Sequence, residues 1–361
     1  MKRLFTFILT LTMAFSFCVN SLAAATTTTT ATETTATTTA TTEASADTSN
    51  TQATSTSYKT SKLSGAPDIV AESAVVMDAG TGTVLYGKEA STKRYPASIT
   101  KVMTALLAVE NCNMSDVITY SNAAVNGIEA GSSTAGINVG AKLTVEDSLY
   151  ALMLVSANEA AAAIAEHISG STTEFAKLMT KHAKELGCKN TQFKNPHGLP
   201  DEEHYTTAYD MGLILKEAMK HPEFRKIAGT ISYTLKKSDS LTDTLELWNH
   251  AKILRQNSDY YYEYAEGAKT GFTQVALNTL VTYAKKDNVE LICVILKDHG
   301  ADKSYTDTAN LFKWAFNQVK AVTPLTDFSL KTAMTENSSI DSAKLDQIQL
   351  LNSSYDTNFS V

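Results

Sequence analysis

Ser98 and Lys101 stand three residues apart in Tyr95-Pro-Ala-Ser-Ile-Thr-Lys101, and this Ser-x-x-Lys spacing occurs once in the chain. The apolar stretch 102–109 follows at once and reads as a helix, with Pro96 suited to a position at or just before its first turn. Both side chains then fall on one helix face, near the positive end of the helix dipole. A hydroxyl held beside an amine becomes nucleophilic once the amine has lost its proton. Burial beside cationic or apolar groups lowers a lysine pKa and permits this.

Two further segments carry matching chemistry. Ser156-Ala-Asn158 falls on a short turn between helical patterns at 145–154 and 159–167, with its polar side chains expected to point away from the packing. Lys269-Thr-Gly271 leads into strand-like segments 276–284 and 289–297, which Lys-Lys-Asp287-Asn288 joins as a hairpin. Taken singly, each motif fits a helix cap, a surface charge or a turn. In this order, and each in its expected setting, the three make a strong signal.

The elements that must position them are legible in outline. Segments 74–78 and 83–86 flank Ala79-Gly-Thr-Gly82 and read as a β-hairpin. Helical patterns run over 145–154, 159–167 and 173–186, with Gly170 and Gly187 as stops. Asn195-Pro-His-Gly-Leu-Pro200 is a loop, and a helix over 211–220 follows it. Segment 230–235 reads as a strand, and 305–322, around Trp314, as a closing helix. Strands at both ends and helices in the middle predict an α+β fold: an antiparallel sheet from N- and C-terminal pieces with an inserted helical lobe.

The chain has 361 residues, is 43% hydrophobic and carries a formal charge of −7. Lys2 and Arg3 are the only charged residues before Ala25, so removing that segment gives −7 − 2 = −9. Such an acidic protein is not expected to bind nucleic acid. Lys2-Arg3, the apolar run 4–19 and the small-x-small sites Ser21-Leu-Ala23 and Ala23-Ala-Ala25 predict a cleaved signal peptide over 1–25. The apolar run is shorter than the ~20 residues that span a bilayer. Residues 26–65 are dominated by threonine and read as a disordered linker.

Beyond Cys18, the cysteines Cys112, Cys188 and Cys293 are odd in number and widely spaced, and Cys293 lies in an apolar run that marks it as a core residue. His197 and His204 lack metal-ligand spacing and read as structural or surface residues. The other five histidines are scattered, so no metal and no cofactor is expected.

The three motifs are similar to those of the penicillin-interacting serine enzymes, and more narrowly of the serine D-alanyl-D-alanine carboxypeptidases, the low-molecular-mass penicillin-binding proteins. The resemblance covers roughly 66–322. The hairpin 71–86, the segment Pro96-Ala-Ser-Ile-Thr-Lys-Val-Met-Thr104, the loop Asn195-Pro-His-Gly-Leu199 with Thr206-Thr-Ala-x-Asp210, and Glu266-Gly-Ala-Lys-Thr-Gly-Phe-Thr273 carry it. Leu277 departs from the small, glycine-containing sequence usual after Lys-Thr-Gly. After Val322 the family's second, β-rich domain and amphipathic anchor have no full counterpart, so 323–361 is expected to be an extension only.

The resemblance implies a β-lactamase/transpeptidase-like fold and an exported enzyme, at the extracellular or cell-envelope face. Its substrate would be a peptidoglycan pentapeptide ending in D-Ala-D-Ala, and β-lactams would inhibit it. Ser98 would form the acyl-enzyme, Lys101 would take its proton, and Ser156 would relay a proton to the departing amine. Asn158 would orient Lys101 and the substrate amide. Lys269 and Thr270 would hold the terminal carboxylate, Gly271 would admit close backbone approach, and the N–H groups of Ser98 and Phe272 would form the oxyanion hole. Two rivals remain. A class A serine β-lactamase would carry Ser-Asp-Asn and a deacylating E-x-x-L-N glutamate, which 189–205 lacks despite Glu202 and Glu203. A relic wall-binding protein would not need Ser98, Lys101, Ser156, Asn158 and Lys269 intact.

Overall fold

The computed structural model describes residues 65–237, 241–300 and 302–319. The expected leader, the threonine-rich linker up to Ser64 and the C-terminal extension lie outside them.

The molecule is built round a five-stranded antiparallel sheet. Its strands are β1 (Ser73–Asp78), β2 (Val84–Lys88), β7 (Ala265–Thr273), β8 (Leu277–Lys286) and β9 (Val289–Asp298), in the order β2-β1-β9-β8-β7. The first and last strands of the described residues therefore meet at the β1–β9 ladder, with Val76 opposite Cys293. Between them run α1 (Lys101–Asn111), β3 (Val117–Thr119), α2 (Asn122–Asn126), β4 (Lys142–Thr144), α3 (Val145–Leu154), α4 (Asn158–Ser169), α5 (Thr172–Glu185), α6 (Ala208–Ala218), α7 (Pro222–Gly229), β5 (Ser232–Leu235) and β6 (Leu245–Trp248). Helix α8 (Lys303–Gln318) closes the fold. The α+β architecture is the expected one.

The sheet is covered on both faces, which explains why β9 reads as an unbroken apolar run. Ile292, Val294 and Leu296 pack with Met211 and Ile214 of the helical lobe, whereas Leu291, Cys293 and Ile295 pack with Leu311, Phe312 and Ala315 of α8. The period of two divides one strand between two cores. Each such buried side chain contributes about 1.5–3 kcal/mol. Cys293 is a core residue, as its surroundings in the sequence suggested.

Local chemistry sets the helix starts. The side chains of Thr144, Ser171 and Thr207 cap α3, α5 and α6 by accepting from the N–H groups of Asp147, Glu174 and Asp210. The Thr207 cap begins α6 three residues before the expected 211. Sequence patterning missed α7, where Pro222 opens a helix rather than ending one, and it missed the short strands β3, β4 and β6. The expected strand at 230–235 is β5, and it pairs with β6 outside the main sheet. Leu277, where β8 begins, holds φ at +56°, a left-handed conformation that glycine adopts without strain.

Candidate active site

The serine does not sit in an α-helix. Residues Ala97–Thr100 form a 3-10 turn that passes directly into α1 at Lys101. With three residues per turn, side chains at i and i+3 eclipse, so the 3-10 turn stacks Ser98 over Lys101 more directly than α-helical geometry would. Ala97, just before the serine, is held at φ +52°. Thr279 on β8 fixes the turn by donating to the Pro96 carbonyl at 2.8 Å.

Lys101 is fully buried. Its Nζ lies 3.0 Å from Ser98 Oγ, 2.7 Å from Asn158 Oδ1 and 2.8 Å from the His197 carbonyl. The two oxygens of Asn158 and His197 can only accept. A neutral amine has two N–H groups and one lone pair. Lys101 Nζ donates to all three oxygens as an ammonium, and as a neutral amine it can keep both carbonyl oxygens and turn its lone pair to Ser98 Oγ. Burial holds Lys101 well below the ordinary lysine range, the nearby Lys269 lowers it further, and Glu159 opposes both.

Ser156 and Asn158 lie where α3 gives way to α4. Ser156 adopts φ +63°, and Asn158 is the first residue of α4, with its N–H on the Ser133 carbonyl at 2.9 Å. Lys269 reaches across from β7 and donates to Ser156 Oγ at 3.1 Å and to the Thr270 carbonyl at 2.9 Å. Burial draws Lys269 down to about 7. Gly271 follows on the same edge strand, and a Cβ there would lie 2.8 Å from the Ser98 nitrogen and 2.4 Å from Thr279 Oγ1. Only glycine lets the strand pass so near Ser98. Phe272 is exposed beside it.

All eight sequence-derived site residues lie around a single cavity or directly beneath it. Ser98, Ser156, Asn158, Thr270, Gly271 and Phe272 line a cleft of about 400 Å³, and Lys101 is bonded to Ser98 from below. Lys269 completes the set beneath Ser156. The two amines are thus shielded by the hydroxyls they touch.

Other contributors were not among the sequence-derived site residues. His197 lends its backbone carbonyl, with Gly198 at φ +91° packed so closely that a Cβ would meet the Ala97 carbonyl at 1.9 Å. His204, fully buried, bonds Thr100 Oγ1 at 2.9 Å and is a structural residue, while His197 is partly buried. Burial lowers His197 to about 3 and His204 to about 4, which keeps both neutral beside Lys101. Glu159 is buried next to Asn158, and its Oε1 accepts from Thr134 Oγ1 and the N–H groups of Ala135 and Gly136 at 2.7, 2.7 and 3.1 Å. It anchors the segment that follows the cleft wall at 131–133. An acid in the first turn of an alanine-rich helix was the available signal.

The family of D-alanyl-D-alanine carboxypeptidases matches residues 59–300. The chain belongs to this family. It is 37% identical over 255 residues to the D-alanyl-D-alanine carboxypeptidase DacF of Bacillus subtilis (strain 168), a match spanning 69% of this chain and 62% of that protein. It is 32% identical to the D-alanyl-D-alanine carboxypeptidase of Streptomyces sp. (strain K15), over 69% of this chain and 88% of that one. The crystal structure of the Streptomyces K15 DD-transpeptidase superposes with a TM-score of 0.65 at 31% identity, covering 70% of this chain and 99% of that one. The D-alanyl-D-alanine carboxypeptidase of Mycobacterium tuberculosis H37Rv gives 0.65 at 26% identity, over 73% and 96%. These fold neighbours are β-lactamase/transpeptidase-like, as expected for this family member. Among its described residues, no helix is long and apolar enough to cross a membrane.

Proposed function

We propose that the protein is an exported serine D-Ala-D-Ala carboxypeptidase that removes the terminal D-alanine from peptidoglycan stem peptides and is inhibited by penicillin. The observation that carries this reading is the buried amine of Lys101, 3.0 Å from Ser98 Oγ and bonded also to Asn158 Oδ1 and the His197 carbonyl, which burial holds well below the ordinary lysine range.

Ser98 Oγ attacks the carbonyl carbon between the two D-alanines as its proton passes to Lys101 Nζ. The backbone N–H groups of Ser98 and Phe272 receive the developing oxyanion, an interaction worth about 3–4 kcal/mol per donor in comparable sites. The carbon–nitrogen bond then breaks, and Ser156, held by Lys269, relays the proton to the leaving amine. Asn158 holds Lys101 and the substrate amide. Thr270 offers its hydroxyl to the terminal carboxylate, and the Lys269 charge attracts that carboxylate from behind Ser156. Water enters to hydrolyse the acyl-enzyme and free Ser98. A β-lactam would acylate the same oxygen as its ring opens.

In this reading residues 1–25 direct export and are removed. The threonine-rich 26–65 then spaces the 66–322 catalytic domain from the surface that holds it, and 323–361 is an extension of that domain. The cell envelope is the compartment that contains the substrate.

Release of D-alanine from a pentapeptide ending in D-Ala-D-Ala, measured beside labelling by a fluorescent penicillin, tests the proposal. Wild type releases D-alanine and forms the adduct, and Ser98→Ala does neither. Rapid β-lactam hydrolysis without D-alanine release would instead establish a β-lactamase. Absence of any Ser98-dependent adduct would leave only a relic.

A further inference from the structure

At the end of α1 opposite the nucleophile, side chains from four helices meet. Glu110 lies in the last turn of α1, His182 in the last turn of α5 and Glu217 in the last turn of α6, while His221 caps the start of α7. One donor atom from each of Glu110, Glu217 and His221 lies within 4.8 Å of the others. His221 Nε2 is 3.5 Å from Glu110 Oε1, and His182 Nε2 is 3.1 Å from Glu110 Oε2. Two donors bound tetrahedrally at zinc's ordinary 2.0–2.2 Å stand about 3.3–3.6 Å apart, and the His221–Glu110 pair has that spacing.

The orientation of His182 is the second, independent observation. Its Nδ1 faces Glu185 Oε2 at 3.3 Å. Its Nε2 is closed off from solvent and makes no hydrogen bond of good geometry, despite its nearness to Glu110. A ring that donates from Nδ1 to a carboxylate presents a bare Nε2, which is the arrangement by which proteins prepare an imidazole ligand.

Electrostatics favours a cation there. The last turns of α1, α5 and α6 converge with their partial negative charge, and Glu110 and Glu217 add carboxylates where the helix dipole disfavours them. Lys220 takes one oxygen of Glu217 at 2.6 Å, which leaves the other for the cluster.

We propose that Glu110, Glu217 and His221, with the bare Nε2 of His182 held against Glu110, bind a divalent transition-metal ion, zinc by the mixture of imidazole and carboxylate. The site ties α1 to α5, α6 and α7. It lies nine residues along α1 from Lys101, about 14 Å at the helical rise, so the ion braces the lobe that carries the nucleophile and takes no part in acylation.

Tag-free protein, stripped with EDTA and dialysed against zinc sulfate at neutral pH, should retain one zinc per chain by elemental analysis. Its melting temperature should rise with zinc and fall back with EDTA. His221→Ala and Glu110→Gln should each weaken zinc binding by about tenfold or more in titration calorimetry, with circular dichroism and penicillin labelling unchanged. Failure of wild type to retain zinc would overturn the proposal. So would a Glu110→Gln/His221→Ala double variant that binds zinc as wild type does, because the ion would then lie elsewhere.

Discussion

Ser98–Lys101 and Ser156–Lys269 are the same two functional groups at nearly the same separation, 3.0 and 3.1 Å, in one cleft. They differ in how they are held. The first couple spans three residues of one rigid turn, and its amine is claimed on the other sides by two groups that can only accept. The second joins β7 to the α3–α4 turn over 113 residues, and its amine has one further acceptor, the Thr270 carbonyl. Composition alone does not assign a base; the remaining partners of each amine do. In the proposed mechanism these partners suit Lys101 to receive a proton and Lys269 to hold and polarise a hydroxyl.

Lys101→Met tests this difference most severely. It should lower the acylation rate by roughly 10²–10⁴ in stopped-flow work with a fluorescent penicillin, the range for a lost general base. Lys269→Met should cost about 10–150-fold in kcat/KM, because the charge-assisted bond it removes is worth about 1.5–3 kcal/mol. Equal losses in the two variants would mean that the couples are not distinguished as argued. Removing the Lys269 cation also relieves Lys101, whose pKa should rise. The acid limb of the pH–rate profile should therefore move to higher pH.

Thr279→Val leaves the Pro96 carbonyl without its donor at the turn that aims Ser98. A stability loss of about 1 kcal/mol in chemical denaturation is expected, with a lower acylation rate and no displacement of the pH profile. A displaced profile would show that the turn also sets the basicity of Lys101. Glu159→Gln gives the smallest effect. It deletes the anion that opposes the other influences on Lys101, so the acid limb should move to lower pH, opposite in sign to Lys269→Met.

The same contrast explains what could be read from the sequence. Ser98 and Lys101 were legible because their relation is local and any helical turn brings i and i+3 together. The 3-10 character of the turn was not, since Ser-Ile-Thr-Lys fits either helix. Lys269, Ser156 and Asn158 depended on likeness to a family, because no periodicity foretells a contact across the two lobes. Helices α3 to α6 and strands β8 and β9 declared themselves through long apolar patterns. Strand β7 did not: Ala-Glu-Gly-Ala-Lys-Thr-Gly-Phe-Thr has little to bury at a sheet edge. The His197 carbonyl had no signature at all, since every residue carries one. His182 and His221 looked scattered for a related reason: the helices that unite them at Glu110 are distant in sequence.

Ala97, Ser156 and Leu277 are all held in the left-handed region without being glycine. Each conformation costs about 1–2 kcal/mol that the rest of the fold must offset. For protein engineering this divides the molecule into places where rigidity can be added freely and places where relief is coupled to aim. Relaxing Ala97 or Ser156 would free energy at the expense of the direction in which a hydroxyl points. Leu277 begins a strand outside the cleft lining, so glycine there could release strain without retuning the chemistry. Heat resistance and turnover are therefore separable in this scaffold at Leu277 and opposed at Ala97 and Ser156.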